Sequence, residues 1–123
     1  MAEKAIQIEG RALAFASYGV DRKCSRDHLR GIRIECHQGR AVCIASDGAM
    51  MLYARSKFLC DPAFEAFTLD WSKTARLIHL CREWDVRSVS FEADPACDRA
   101  PGIRWFVWEA LDRTGTSIER GFV

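Results

Sequence analysis

The residues of this chain that could act as a nucleophile and a base are cysteines and histidines that lie close together in sequence. Cys36 and His37 are adjacent, and one residue separates His79 from Cys81. A paired thiol and imidazole would give a cysteine nucleophile activated by a general base. Neighbouring residues of a strand point to opposite faces, and residues two apart on a helix do not meet. The pattern therefore predicts no catalytic residue, and we expect the chain not to be an enzyme.

Metal and phosphate sites need ligands at short, regular spacing, and this sequence does not supply them. The six cysteines, at positions 24, 36, 43, 60, 81 and 97, form no Cys-x-x-Cys pair. The acidic residues of 92–98 lack EF-hand spacing. We therefore predict no metal and no cofactor, and reduced thiols in a cytoplasmic protein. No apolar run reaches the roughly 20 residues that cross a bilayer, so we expect no membrane partner.

The stretch RAVCIASDGAMMLYARS, residues 40–56, predicts a β-hairpin. Two apolar runs flank its centre, where Ser46 precedes Asp47 and Gly48. An Asp-Gly pair favours a tight turn because glycine tolerates the positive φ that such turns need. The hairpin is therefore explained by structure alone, without any function.

Two adjacent methionines, Met50 and Met51, follow this turn. Adjacent strand residues point to opposite faces, so one of the two is expected to face the core and the other to face solvent. One interpretation of the pair is ordinary core packing. The other is an adaptable hydrophobic rim for a peptide, which Leu52 or Tyr53 would share.

The clearest helical pattern covers residues 71–84, after a potential N-cap at Asp70. An apolar stripe is predicted from Trp71, Ala75, Ile78 and Cys81, joined by Leu77 and Trp84. The polar side is predicted to hold Lys73, Arg76, His79, Arg82 and Glu83. An alanine-rich stretch at 11–23 predicts a second helix. Its buried side is expected to hold Leu13, Ala16, Tyr18 and Val20.

Alternating and apolar runs predict eight strands around these helices. The predicted strands cover 4–10, 29–36, 40–46, 50–56, 64–70, 85–94, 103–111 and 115–123. A slip in the alternation at Gly31 favours a bulge or local twist. The order β-α-β-β-β occurs twice, so we predict one α+β domain over 1–123 with pseudo-repeats at about 4–57 and 63–123. With 49% hydrophobic residues and a net charge of +1, the chain can form a core and has no strongly basic character.

This order and several residues resemble one domain of the bacterial DNA-polymerase sliding clamp, the β subunit of the replicative polymerase. That family has Leu-Asn-Gly, a strand, a turn, a second strand, and then Ala-Thr-Asp-Gly-His-Arg-Leu-Ala. The corresponding stretch here is LRGIRIECHQGRAVCIASDGAMMLYA. Leu29, Gly31, Ala45, Asp47 and Gly48 match, and Ser46 replaces the threonine. FTLDWSKTARLIHL and TSIERGFV stand where the family has its second helix and its last strand.

The resemblance implies a DNA-clamp (processivity) fold, with two helices on one face of antiparallel sheets. In this family the helices line a central hole and contact the duplex phosphates without reading sequence. The resemblance implies DNA-facing roles for Arg11, Arg22, Lys23, Lys73, Arg76 and Arg82. The competing interpretation is an ordinary solvated helix surface. A clamp subunit contains three such domains and a closed ring needs six, so encirclement of double-stranded DNA here would require a homo-oligomer.

The resemblance also implies a peptide pocket beside the Asp-Gly turn, where the family binds replication and repair proteins. The corresponding residues are Ser46, Asp47, Gly48, Ala49, Met50 and Met51. Ala49 and Met50 stand where the family has His and Arg. The leading expectation is a small sliding-clamp-like protein that binds DNA or replication and repair proteins. The alternative is a clamp-fold protein-binding or inhibitor module, as from a phage or plasmid, that does not encircle DNA.

Overall fold

The computed structural model describes residues 5–20, 31–62, 64, 66–93 and 106–122, and its elements follow the order β-α-β-β-β twice. The first run comprises β1 (Ala5–Glu9), α1 (Gly10–Ser17), β2 (Gly31–His37), β3 (Arg40–Ser46) and β4 (Met51–Leu59). The second run comprises β5 (Phe67–Asp70), α2 (Trp71–Glu83), β6 (Ser88–Ala93), β7 (Phe106–Leu111) and β8 (Ser117–Phe122). The predicted α+β class with a duplicated unit is confirmed.

The first strand of each run belongs to the sheet of the other run. Sheet A has the order β1-β6-β7-β8, and sheet B has the order β4-β3-β2-β5. All neighbouring strands are antiparallel, and β1 pairs with β6 from Ala5 opposite Glu92 to Glu9 opposite Ser88. Neither run completes a four-stranded sheet from its own strands.

One cluster of buried side chains joins both sheets and both helices. Leu13 of α1, Leu77 of α2, Ile34 of β2 and Phe91 of β6 are all fully enclosed in it. The ring of Phe67 on β5 meets Phe91 edge to face, with ring centroids 5.6 Å apart. This aromatic pair connects sheet B to sheet A, and burial of such rings is a large part of the stabilisation that a core of this size provides.

Gly31 does not mark a bulge, so that expectation was wrong. The ladder between β2 and β5 runs in regular register from Gly31 opposite Asp70. A Cβ at Gly31 would collide with the carbonyl oxygen of Leu69, so glycine permits the close approach of the two backbones. The register shifts occur in the β3–β4 and β7–β8 ladders instead.

Helix α1 is shorter than the predicted span of 11–23. It ends at Ser17, whose hydroxyl donates to the carbonyl oxygen of Ala14 at 2.6 Å. The next turn tightens, because the Gly19 amide donates to the carbonyl oxygen of Ala16, three residues back, at 2.9 Å. Residues 21–23 lie outside the described residues.

Helix α2 buries Leu77, Ile78 and Cys81 as predicted, but the rest of its stripe differs from the prediction. Ala75 and Trp84 are exposed, so their assignment to the apolar stripe was wrong. The Thr74 hydroxyl donates to the carbonyl oxygen of Asp70 at 2.7 Å. Because this hydrogen bond satisfies the hydroxyl group, Thr74 can be buried. The side chain of Trp71 lies outside the described part of the structure. The buried stripe consists of Thr74, Leu77, Ile78, Leu80 and Cys81.

A disulfide joins Cys36, near the end of β2, to Cys60, which follows β4. The expectation that all thiols are reduced was therefore wrong for this pair. The amide of Cys60 donates to the carbonyl oxygen of Gly39 at 2.9 Å, and this contact holds Cys60 beside the turn between β2 and β3. Cys43 and Cys81 are free and buried. Sequence spacing missed the pair because 24 residues separate the two cysteines.

We predict that reduction of the Cys36–Cys60 disulfide destabilises the fold, because the cross-link restricts the unfolded chain. A loop of this length gives a loss of about 3 kcal/mol in the free energy of unfolding. Guanidinium denaturation with and without reductant measures the difference. The double variant Cys36→Ser, Cys60→Ser serves as the control and should not respond to reductant. Equal stability of the wild-type chain in both conditions would contradict the prediction.

Candidate nucleic-acid and peptide interface

The loop between β3 and β4 is held by the side chains of Ser46 and Asp47. One carboxylate oxygen of Asp47 accepts hydrogen bonds from the amides of Ala49 and Met50, each at 2.8 Å. The hydroxyl of Ser46 donates to the carbonyl oxygen of Met50 at 2.9 Å and accepts from the Gly48 amide at 3.1 Å. Gly48 has a φ of 92°, which favours glycine. These contacts account for the predicted turn.

The same hydrogen bonds lower the pKa of Asp47 below its usual value. The bond from the Met50 amide is the largest cause, followed by the bond from the Ala49 amide. Hydrogen bonds donated to a carboxylate favour its charged form. The ionised side chain is therefore part of the loop structure at neutral pH.

Both methionines of the hairpin are exposed, which corrects the expectation that one of them faces the core. Met50 is 49% exposed because it lies in the loop, before the alternation of β4 begins. Met51 opens the strand and is 64% exposed, on the face of sheet B that lies opposite the core. Tyr53, two residues further along, shares that face and is 43% exposed.

These side chains form a rim with their neighbours on β3. Met51 lies opposite Ser46, and Tyr53 lies opposite the half-buried Ile44. Directly opposite residues of an antiparallel pair have side chains on the same face. We call Met50, Met51, Tyr53 and Ile44 the hairpin rim. Leu52, which the sequence placed beside this site, is half-buried on the other face of the strand.

The candidate DNA-facing residues lie in different surroundings. Arg11 is exposed on α1. Lys73 is on α2, but its side chain lies outside the described part, and Arg22 and Lys23 lie outside the described residues altogether. The two remaining candidates, Arg76 and Arg82, are on α2 and contact other side chains.

Arg76 forms a two-pronged ion pair with Glu119 of β8. Its Nε and Nη2 atoms donate to the two carboxylate oxygens at 3.0 and 2.9 Å. The hydrogen bond and the opposite charge raise the pKa of Arg76, and the hydrogen bond from Arg76 lowers the pKa of Glu119. Both groups therefore stay charged. Their opposite charges largely cancel at this point of the surface formed by α1 and α2, which we call the helix layer.

Arg82 lies across the ring of Tyr18. Its guanidinium carbon is 4.2 Å from the ring centroid, within the range of a cation–π contact. Its Nε atom also donates to the hydroxyl of Ser17 at 3.0 Å. Tyr18 itself is 65% exposed, so its predicted place on the buried side of the first helix was wrong. On a helix whose buried side holds Leu13 and Ala16, position 18 lies on the other side, away from the core.

The described thiols and imidazoles do not assemble into a reactive pair. Burial is the main cause that raises the pKa of Cys81 to about 12, whereas His79 is exposed on the other side of the helix. Cys43 also has a pKa raised to about 12, chiefly by burial. Among the described residues, no group of three or more metal-binding side chains is found. No helix in this part of the chain is long and apolar enough to span a membrane.

Comparison with solved structures identifies this arrangement. The DNA polymerase III beta subunit of Thermotoga maritima matches 91% of the chain with a TM-score of 0.66 and 12% identity. The fold is that of a DNA clamp. The DNA polymerase beta subunit of Streptococcus pyogenes matches 97% of the chain (TM-score 0.63, 13% identity). The DNA polymerase III beta chain of Streptococcus pneumoniae matches 98% (TM-score 0.62, 10% identity).

The match covers only part of each clamp subunit. This chain spans 29% of the Thermotoga and S. pyogenes chains and 30% of the S. pneumoniae chain. No protein-family model matches the sequence, and no curated protein matches it. At this level of identity the similarity shows the fold alone, and it confirms the predicted clamp architecture.

We predict that the hairpin loop loosens when Asp47 is protonated. The pKa of Asp47 is lowered, so its hydrogen bonds are intact at neutral pH and are lost as the pH falls through a value below about 3.8. The amide proton shifts of Ala49 and Met50 should titrate together with that midpoint in NMR spectra. In Asp47→Asn, both amides should lose this titration. A midpoint at or above 3.8 would contradict the prediction.

Proposed function

We propose that this chain is a small sliding-clamp-like, non-enzymatic protein that self-assembles, binds double-stranded DNA through its helix layer and contacts replication or repair proteins. The observation that carries this proposal is the match of 98% of the chain to 30% of a polymerase clamp subunit. A unit of this size supplies one segment of a ring, so encirclement would need several copies. A cytoplasmic setting is part of the proposal.

The sheet edges support self-assembly. Among the described strands, β4 pairs only with β3 and β8 pairs only with β7, so each sheet has an edge with unpaired backbone groups. On β4, the amide of Lys57 is occupied by the Glu9 carboxylate at 2.9 Å. The N-terminal half of β4, from Met51 to Arg55, is the part left for a second copy. A contact of β4 with β8 of the next copy would be head to tail, and such contacts close into rings or extend as filaments.

We predict that the chain assembles as its concentration rises and that Met51→Lys weakens the assembly. A lysine on an edge strand adds a charge that discourages strand pairing. Light scattering over a range of concentrations gives the molar mass. Trp84→Lys is a matched control, because Trp84 is 60% exposed, follows α2 and belongs to neither β4 nor β8. A molar mass equal to that of the monomer at every concentration would overturn the proposal that several copies form a ring.

The helix layer supports weak contact with duplex phosphates from each copy. Arg11 is exposed, whereas the charge of Arg76 is opposed by Glu119. Such phosphate contacts are independent of sequence and sensitive to salt. Several copies in one assembly would raise the overall affinity without any new contact.

We predict that Glu119→Gln strengthens binding to duplex DNA, because it removes the negative charge that opposes Arg76. One additional effective phosphate contact should steepen the slope of log K against log salt by about one. Fluorescence anisotropy with a labelled duplex at several salt concentrations measures the slope. The ion pair is exposed, so the melting temperature should change little.

The variant Glu109→Gln provides a matched control for this measurement. Glu109 pairs with Arg120 at 3.4 Å on neighbouring strands of sheet A, not with a helix residue. It should leave duplex binding unchanged if the helix layer is the contact surface. Equal effects of both variants, or no binding at low salt, would overturn the DNA role.

The hairpin rim favours a second candidate, a clamp-fold module that binds or inhibits another protein without encircling DNA. Met50, Met51 and Tyr53 give an exposed, adaptable apolar surface beside the turn. A monomeric chain that does not bind duplex DNA would leave this candidate in place of the first. Retention of a clamp-binding peptide by the wild-type chain, and its loss in Met50→Arg, would then support it.

A further inference from the structure

The exposed side of α1 carries one arginine and two aromatic rings in a single stripe. Arg11, Phe15 and Tyr18 follow the spacing i, i+4 and i+7, so they lie on the same side of the helix. Phe15 is 50% exposed and Tyr18 is even more so. At 1.5 Å per residue the stripe is about 10 Å long. We call these three residues the α1 stripe.

Tyr18 is held in place by α2. The guanidinium of Arg82 covers one side of the ring, and its hydrogen bond to the Ser17 hydroxyl fixes it there. Ser17 in turn donates to the carbonyl oxygen of Ala14. The ring is therefore positioned before any ligand arrives, which reduces the entropy that a ligand must remove on binding.

Two arginines lie near the N-terminal end of the α1 stripe. The backbone of the exposed Arg87 lies next to Gly10, the residue before Arg11, because its carbonyl oxygen accepts the Gly10 amide at 3.1 Å. Of the nearby carboxylates, Asp85 pairs with Arg113 at 2.8 Å, whereas Glu9 accepts the neutral Lys57 amide and keeps its negative charge. Glu83, on the solvent side of α2, is exposed and subtracts one charge.

We propose that the α1 stripe binds single-stranded nucleic acid, with bases stacked on Phe15 and Tyr18 and phosphates beside Arg11 and Arg87. This inference rests on the proposed role of the helix layer in facing DNA. Aromatic rings next to positive charge are what sequence-independent single-strand binding requires, because every base offers a π face. The length of the stripe suits two or three nucleotides.

Two other occupants fit these residues less well. The bases of a duplex are stacked on one another, so exposed rings add nothing to contacts with its phosphates. An apolar partner would need a wider continuous patch, whereas the two rings here are flanked by arginines and by the half-buried Ala14. A partner with flat rings and negative charges matches the two rings and the arginines near them.

The test compares Phe15→Leu and Tyr18→Leu with the wild-type chain for binding of a fluorescein-labelled oligothymidylate of about 12 nucleotides. Leucine keeps the apolar volume and the helix propensity but removes the flat ring. Each change should weaken single-strand binding about tenfold and leave duplex binding unaltered. Phe15→Trp should retain binding, because it keeps a flat ring at this position.

Anisotropy at about 50 mM salt and circular dichroism of each variant complete the experiment. Absence of oligothymidylate binding, or unchanged binding by both leucine variants, would overturn the proposal. A change in molar mass in the leucine variants would also overturn it, because the rings would then be a contact between copies. Single-strand binding without duplex binding would sustain this proposal and overturn the duplex role. Duplex binding without single-strand binding would sustain the duplex role and overturn this proposal.

Discussion

The exchange of first strands between the two runs is the constraint on which the rest of this structure depends. β1 completes the sheet of the second run, and β5 completes the sheet of the first. Each exchanged strand leads directly into a helix, since Glu9 precedes Gly10 and Asp70 precedes Trp71. The start of each helix is therefore fixed by the sheet that its strand joins. The body of α1 then packs on β3 and β4 of the other sheet, so the helices connect the two sheets.

This arrangement separates the surface formed by the two helices from the edges of the sheets. The helices present their solvent sides together, which brings Arg82 of the second run onto Tyr18 of the first. The last strand of each run is left at a sheet edge, with the hairpin rim beside one of these edges. The helix layer and the sheet edges therefore do not compete for the same residues. DNA contact is therefore compatible with either of the other two proposed activities, whereas partner binding and self-assembly both use Met51 and Tyr53 of β4.

Sequence patterns predicted the elements well because most of them depend on local chemistry. The turn at Asp47 and Gly48 follows from side chains within four residues, and the α2 span follows from helical periodicity. The resemblance to the clamp family supplied the fold. What local patterns could not supply were partners distant in the chain. The strand exchange, the Cys36–Cys60 disulfide and the neutralisation of Arg76 by Glu119 all join residues far apart in sequence.

The errors at the candidate sites have a common physical origin. Met50 was assigned to a strand, but the carboxylate of Asp47 holds it in the loop, where alternation does not apply. Tyr18 was assigned to the core on the basis of its apolar ring. Its partner Arg82 lets a large aromatic side chain remain at the surface. Local hydrophobicity was an unreliable guide wherever one polar side chain determined the position of an apolar one.

The strand exchange also has a consequence for the order in which the chain can fold. Ala5 pairs with Glu92, so β1 gains its hydrogen-bonded neighbour in the sheet only after β6 has been synthesised. Sheet B can complete earlier, because Gly31 pairs with Asp70. Contacts between distant residues slow folding, and an unpaired strand is open to the wrong partner during that time. The isoleucines of β1, buried in the finished protein, lack their neighbours on β6 until that strand has been made.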